Sequence, residues 1–146
     1  MRRTTWRHKK CTFFVLDDLK SICFFNGGWD TPGTLLDLLD GVQVVHKIYT
    51  LTKAFPKEEQ FGLVNQLRRA TVSIASNIAE GTSRKTNKDQ AKFTTIAYSS
   101  LMEVINQLIL SNDLGYIKDK DYQDLRLRAE KISNMLNALR NFQSGG

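Results

Sequence analysis

Residues 63–81 read LVNQLRRATVSIASNIAEG, and their spacing decides the fold. Leu63, Leu67, Ala70, Ile74 and Ile78 recur at intervals of three and four, as one face of an α-helix demands, and Val64, Thr71 and Ala75 broaden that face. Gly81 ends the run and suits a left-handed C-terminal cap. The same rhythm continues on both sides. Upstream, Leu35, Leu38, Val42, Val45, Tyr49 and Thr52 form a stripe whose middle Gly41 weakens by about 1 kcal/mol relative to alanine. Phe55-Pro56 stops that stripe, because a residue before proline is pushed out of the helical region. Downstream, Asn87 with Gln90 three residues on offers an N-terminal cap. Phe93, Ala97, Leu101, Val104 and Leu108 follow, with Ile105 and Ile109 beside them, and Gly115 closes the turn. A last stripe, from near Asp119, takes Tyr122, Leu125, Ala129, Ile132, Leu136 and Leu139. None of the four amphipathic segments can bury its stripe alone, and the connections are short. The expected fold is therefore all-α, an up-down-up-down antiparallel four-helix bundle over residues 34–143.

The flanks differ. Residues 1–33 carry the pairs Phe13-Phe14 and Phe24-Phe25 and an Asn26-Gly27-Gly28 turn signal without a sustained period. They read as an N-terminal extension of unassigned structure, and residues 144–146 as a tail. A chain of 146 residues fits one domain, and 41% hydrophobic with 25% charged residues is ordinary for a globular one. Asp17 and Asp18 break the one candidate membrane span, Cys11 to Phe25. The apolar stretch Cys11 to Leu16 is too short for the core of a signal peptide, and Cys11 and Cys23 read as reduced thiols. A cytoplasmic protein without a membrane partner is expected.

Reaction chemistry finds no foothold. Four-helix bundles that house two metals use Glu-x-x-His to set a carboxylate and an imidazole on one face. Here Phe61, Gly62, Ser83, Asn106 and Ser133 stand three residues after Glu58, Glu59, Glu80, Glu103 and Glu130. The histidines are His8 and His46. His8 with Cys11 and Cys23 lacks a fourth zinc ligand, and His46 reads as an imidazole on a helix surface or interface. No glycine-rich phosphate loop, nucleophile elbow or Cys-His signature is present. The expectation is no enzyme, no metal and no cofactor.

Charge suggests binding instead. Lysine and arginine total 21 against 15 acids, a net +6 with a pI near 9.4, which favours polyanionic partners. Between the second and third stripes lies Gly81-Thr82-Ser83-Arg84-Lys85-Thr86, followed by Lys88 and, one turn on, Lys92. Hydroxyls, fixed positive charges and free N–H groups at a helix start favour phosphate contact. Gln66, Arg69, Ser73, Asn77 and Glu80 share a second face of the 63–81 helix, rotated about 130° from the apolar one. That face reads either as solvated or as a polar seam against another helix or subunit, with Arg69 paired to Glu80 or to Glu103.

Several runs carry a family likeness: Ile48 to Glu59, Phe61-Gly62-Leu63, Gln66-Leu67-Arg68-Arg69-Ala70, Ser73-Ile74, Asn77-Ile78-Ala79-Glu80-Gly81, Ser99 to Val104, Gln107-Leu108 and Leu114-Gly115-Tyr116. Over about residues 44–142 the chain resembles the four-helix-bundle proteins encoded within bacterial ribosomal-RNA intervening sequences. The resemblance implies a closed homo-oligomer, with five copies expected. It also implies a relation to the basic accessory proteins of diversity-generating retroelements, which associate with RNA or DNA and a reverse transcriptase. It makes Arg68, Arg69, Ser73, Asn77, Glu80 and Glu103 candidates for assembly or binding. Such proteins usually open their first helix with an aromatic-Gln pair, whereas this chain has Leu39-Asp40-Gly41-Val42-Gln43 after a long leader. That departure suggests a misplaced start or a frame error upstream of about Val42.

Two functions are then expected to compete. The first is a non-catalytic oligomer that contacts nucleic acid through Arg68, Arg84, Lys85, Lys88 and Lys92. The alternative is a protein-interaction scaffold whose positive charge serves only solubility.

Overall fold

The computed structural model describes the backbone of residues 34–145 and the side chains of residues 40–145. Met1 to Gly33, and with it the expectations for His8, Cys11 and Cys23, lies outside the described residues, as do the side chains of Leu35 and Leu38. Four helices make up the bundle: α1 (Thr34–Leu51), α2 (Leu63–Thr82), α3 (Asn87–Asp113) and α4 (Asp119–Gln143). No strand occurs among the described residues.

Side-chain pairings show the antiparallel register of each neighbouring pair. Between α1 and α4, Asp40 meets Lys131, Gln43 meets Arg128 and Lys47 meets Asp124, so one helix ascends as the other descends. Gln66–Gln107 and Ser73–Ser100 do the same for α2 and α3. Thr94 near the start of α3 bonds Gln143 at the end of α4, at 2.7 Å. Phe55, just past α1, packs on Tyr116, just past α3, with ring centroids 5.5 Å apart. Both of those connections therefore lie at one end of the bundle, as up-down-up-down topology requires.

The core runs along the axis through Val44 and Ile48 of α1, Leu67 and Ile74 of α2, Leu101 and Leu108 of α3, and Leu125, Ile132 and Leu136 of α4. The stripes of α2, α3 and α4 face it as their spacing predicts. That of α1 does so only at Thr52, just past the helix end. Val42 and Tyr49 are about 40% exposed, and Gly41, Val44 and Ile48 point inward instead. Apolar residues surround this helix, so two registers one residue apart fit equally well. Packing selects the one that turns Gly41 toward Ala75 of α2.

Two helix ends also differ from expectation. Gly81 does not cap α2 in a left-handed conformation; it is helical and buried, where a Cβ would stand 3.0 Å from the Phe93 Cβ. The cap of α3 is Thr86 rather than Asn87: its Oγ1 accepts from the Asp89 N–H at 3.2 Å and donates to the Asp89 carboxylate at 2.8 Å. Gly115 does adopt φ +74°, and the Tyr116 N–H bonds the Ser111 carbonyl at 2.9 Å behind it. At the start of α2 Gly62 offers no side chain, and Glu59 substitutes by accepting from the Leu63 N–H at 3.2 Å.

Candidate nucleic-acid interface

The basic loop between α2 and α3 spends much of its charge on itself. Arg84 pairs with Glu80 one turn back and lies over the Phe93 ring, 4.7 Å from its centroid. Lys92 pairs with Asp89 at 2.9 Å. The Lys92 ammonium, then the Thr86 hydroxyl, hold the Asp89 carboxyl below its ordinary range. A carboxylate from the chain itself thus takes up Lys92 and the Thr86 hydroxyl in the first turns of α3. Ser83 donates to the Glu80 carbonyl at 2.7 Å. Lys85 and Lys88 remain exposed and carry no ion pair among the described residues.

The polar face of α2 runs along α3 and is consumed within the chain. The Ser73 and Ser100 hydroxyls lie 2.8 Å apart, and Asn77 donates to the Ser73 carbonyl at 2.8 Å. Gln107, 3% exposed and not singled out from the sequence, donates to Glu103 at 3.0 Å and to Gln66 at 3.5 Å. Arg69 joins none of this. It bonds neither Glu80, which holds Arg84, nor Glu103, which holds Gln107, and it stays exposed without a carboxylate among the described residues.

On its other flank α2 borders α1, and there the charge is uncompensated. From Gly41 to Ala79 the acids are Glu58 and Glu59, against Lys47, Lys53, Lys57, Arg68 and Arg69. Glu59 is engaged with the Leu63 N–H, and Lys47 turns to Asp121 and Asp124 of α4. Arg68 is held in place: its Nε donates to Thr52 Oγ1 at 2.8 Å and its guanidinium lies 4.8 Å from the centroid of the Tyr49 ring. Thr52 is itself fixed, donating to the Ile48 carbonyl at 2.8 Å. Tyr49, Asn65, Arg68, Arg69, Val72 and Ser73 line an open groove of about 490 Å³. Sequence reading singled out the two arginines but not Tyr49 or Asn65. The signal available for them was the scarcity of acids between residues 41 and 79.

A third surface is nearly free of charge. From Phe93 to Asn112 Glu103 is the one charged residue, and Ile96, Met102, Ile109 and Leu110 of α3 are exposed. Among the described residues no group of three histidine, cysteine, aspartate or glutamate side chains could hold a metal, and no helix is long and apolar enough to cross a membrane.

Fold and surface together define a small antiparallel helical bundle with a basic flank and an uncharged one. Residues 39–138 match the model of the 23S rRNA-intervening sequence protein family, and the chain belongs to that family. Its fold is shared by a crystal structure, at 1.70 Å, of a protein with unknown function from the S23 ribosomal protein family of Bacteroides thetaiotaomicron. The TM-score is 0.69 at 21% identity, over 75% of this chain and 98% of that one. No curated protein matches the chain.

Proposed function

We propose that this chain is a non-catalytic, homo-oligomeric bundle that associates with RNA or DNA in the cytoplasm. The observation carrying this reading is the α1–α2 surface, where Arg68 and Arg69 stand without a carboxylate partner while neighbouring cations at the α1–α4 seam are paired. Lys53 is exposed near the same end of the bundle, and Lys85 and Lys88 are exposed at the opposite end, where α2 connects to α3. Arg84 and Lys92, already neutralised within the chain, add little until a phosphate displaces their partners.

Titration of structured RNA and duplex DNA at low and moderate salt tests the proposal. Affinity should fall steeply with salt, because each phosphate contact releases counterions. Changing Arg68 and Arg69 to glutamine should lower the salt slope by about one contact each. No binding at low salt overturns the reading.

Assembly belongs to the same proposal. A helix face whose exposed residues include Ile96, Met102, Ile109 and Leu110 suits contact with a second copy more than with water. Five copies of a +6 chain carry +30, which multiplies weak phosphate contacts. The proposal extends to a relation with retroelement accessory proteins, and through it to a reverse transcriptase as protein partner. Light scattering should return five times the 16.7 kDa chain mass. Changing Met102 and Leu110 to glutamate should reduce it to one chain. A monomeric parent protein overturns the assembly.

A further inference from the structure

The geometry of the α1–α2 groove points to a more specific occupant. We propose that it takes one unpaired nucleotide of a single-stranded nucleic acid, its base stacked against the Tyr49–Arg68 pair and its flanking phosphates on Arg69 and the outer edge of Arg68. This rests on the nucleic-acid reading above and narrows it to a strand type and a place.

Three features of the groove favour that occupant over a duplex backbone. A part-exposed aromatic ring with a guanidinium over it is a stacking platform, and stacking tolerates any base because every base has a π-face. A duplex keeps its bases stacked inside and cannot present one to Tyr49. Next, Arg68 is pre-positioned. One N–H is spent on the buried Thr52 hydroxyl and its guanidinium lies over the Tyr49 ring, while its terminal nitrogens have no partner among the described residues. Little side-chain freedom is left to lose when a phosphate arrives. Finally, Asn65 lines the same groove and brings both a donor and an acceptor to the edge of a base. The lone lysines of the α2–α3 loop have no such platform. Arg84 does lie on Phe93, but its guanidinium is already bound to Glu80.

The test is fluorescence anisotropy on the full chain with unstructured single strands of about 12 nucleotides, as RNA and as DNA, and with a duplex of the same length. Tyr49→Leu should weaken single-strand binding roughly ten-fold or more and leave the duplex within about two-fold, since only the former loses stacking. Tyr49→Phe keeps the ring and should keep the affinity. Arg69→Gln should weaken all three probes alike, as a phosphate contact does. A loss with either the RNA or the DNA strand supports the site and identifies the sugar it accepts. Binding that is intact in Tyr49→Leu, or lost equally for strand and duplex, overturns the groove proposal and leaves the wider reading standing. Failure of the parent protein to bind any probe overturns both.

Discussion

Two buried glycines, one in α1 and one in α2, should respond in opposite directions to the same substitution. At Gly81 an added Cβ would lie 3.0 Å from the Phe93 Cβ and 3.5 Å from the Gln90 carbonyl oxygen. Carbon atoms rest about 3.5–4.0 Å apart, so the methyl intrudes by roughly half an ångström or more. Phe93 Cβ sits one bond from its backbone and no rotamer change moves it. The N-terminal part of α3 must shift as a unit, which costs about 1–3 kcal/mol. Replacing a helical glycine by alanine returns about 1 kcal/mol. Overpacking wins, and Gly81→Ala should destabilise the bundle by about 1 kcal/mol net.

At Gly41 the nearest described atom to an added Cβ is that of Ala75, at 3.9 Å, an ordinary contact. Only the helix term remains, so Gly41→Ala should stabilise by about 1 kcal/mol. For a domain of this size each change moves the melting temperature by about 4 °C, down for Gly81→Ala and up for Gly41→Ala. Thermal unfolding followed by circular dichroism, with urea titration to check that the m-value is unchanged, measures both. A Gly81→Ala protein that melts above the parent refutes the reasoning, because it would mean that α2 and α3 do not approach as closely as their backbones require.

Thr86→Ala removes both halves of the α3 cap and should cost about 1 kcal/mol, seen as a lower urea midpoint. Ile132 is fully buried, and Ile132→Ala should cost about 2–5 kcal/mol in the same titration, through lost contacts and the cavity left behind. Asp124 gives a pH dependence: the Lys47 ammonium, then the Arg128 guanidinium, lower its carboxyl below 3.8 in the folded chain. Its pairs therefore stabilise fully above 3.8 and lose that contribution as pH falls through the lower folded value. Asp124→Asn should melt slightly below the parent at neutral pH, by a few tenths of a kcal/mol for pairs this exposed, and the two should converge in acid. A melting difference that persists at pH 2 would mean the side chain acts through packing instead.

How much of this was legible depended on whether a local pattern had one solution or two. The α2 stripe had one, since Val64, Leu67, Ala70, Thr71, Ile74 and Ile78 occupy a single face with mostly polar residues around the rest, Val72 excepted, and all six are buried. The α1 stripe had two, since Val42, Val44, Val45, Ile48 and Tyr49 wrap the helix, and only the fit of Gly41 against Ala75 decides between them. The α3 cap was ambiguous in the same way: Thr86 with Asp89 and Asn87 with Gln90 are both acceptable, one residue apart. Gly81 misled for another reason. A glycine near a helix end usually supplies positive φ, whereas here it supplies room for Phe93, a residue of a different helix.

The site follows the same division. Arg84 stands four residues after Glu80, a spacing that signals a local pair, yet sequence reading offered Glu80 to Arg69 and left Arg84 for phosphate. Arg68 meets Thr52 and Tyr49, sixteen and nineteen positions upstream, only because α1 packs antiparallel on α2, and no local pattern announces it. Around the bundle α1 packs on α2 and α4, while α3 packs on α2 and α4 from the opposite corner. The uncharged outer face of α3 thus points away from α1. In the assembly proposed above, a contact through α3 would leave Tyr49, on α1, open to a strand, while Ser73, bonded to Ser100 of α3, sets the other edge of the groove at the α2–α3 seam.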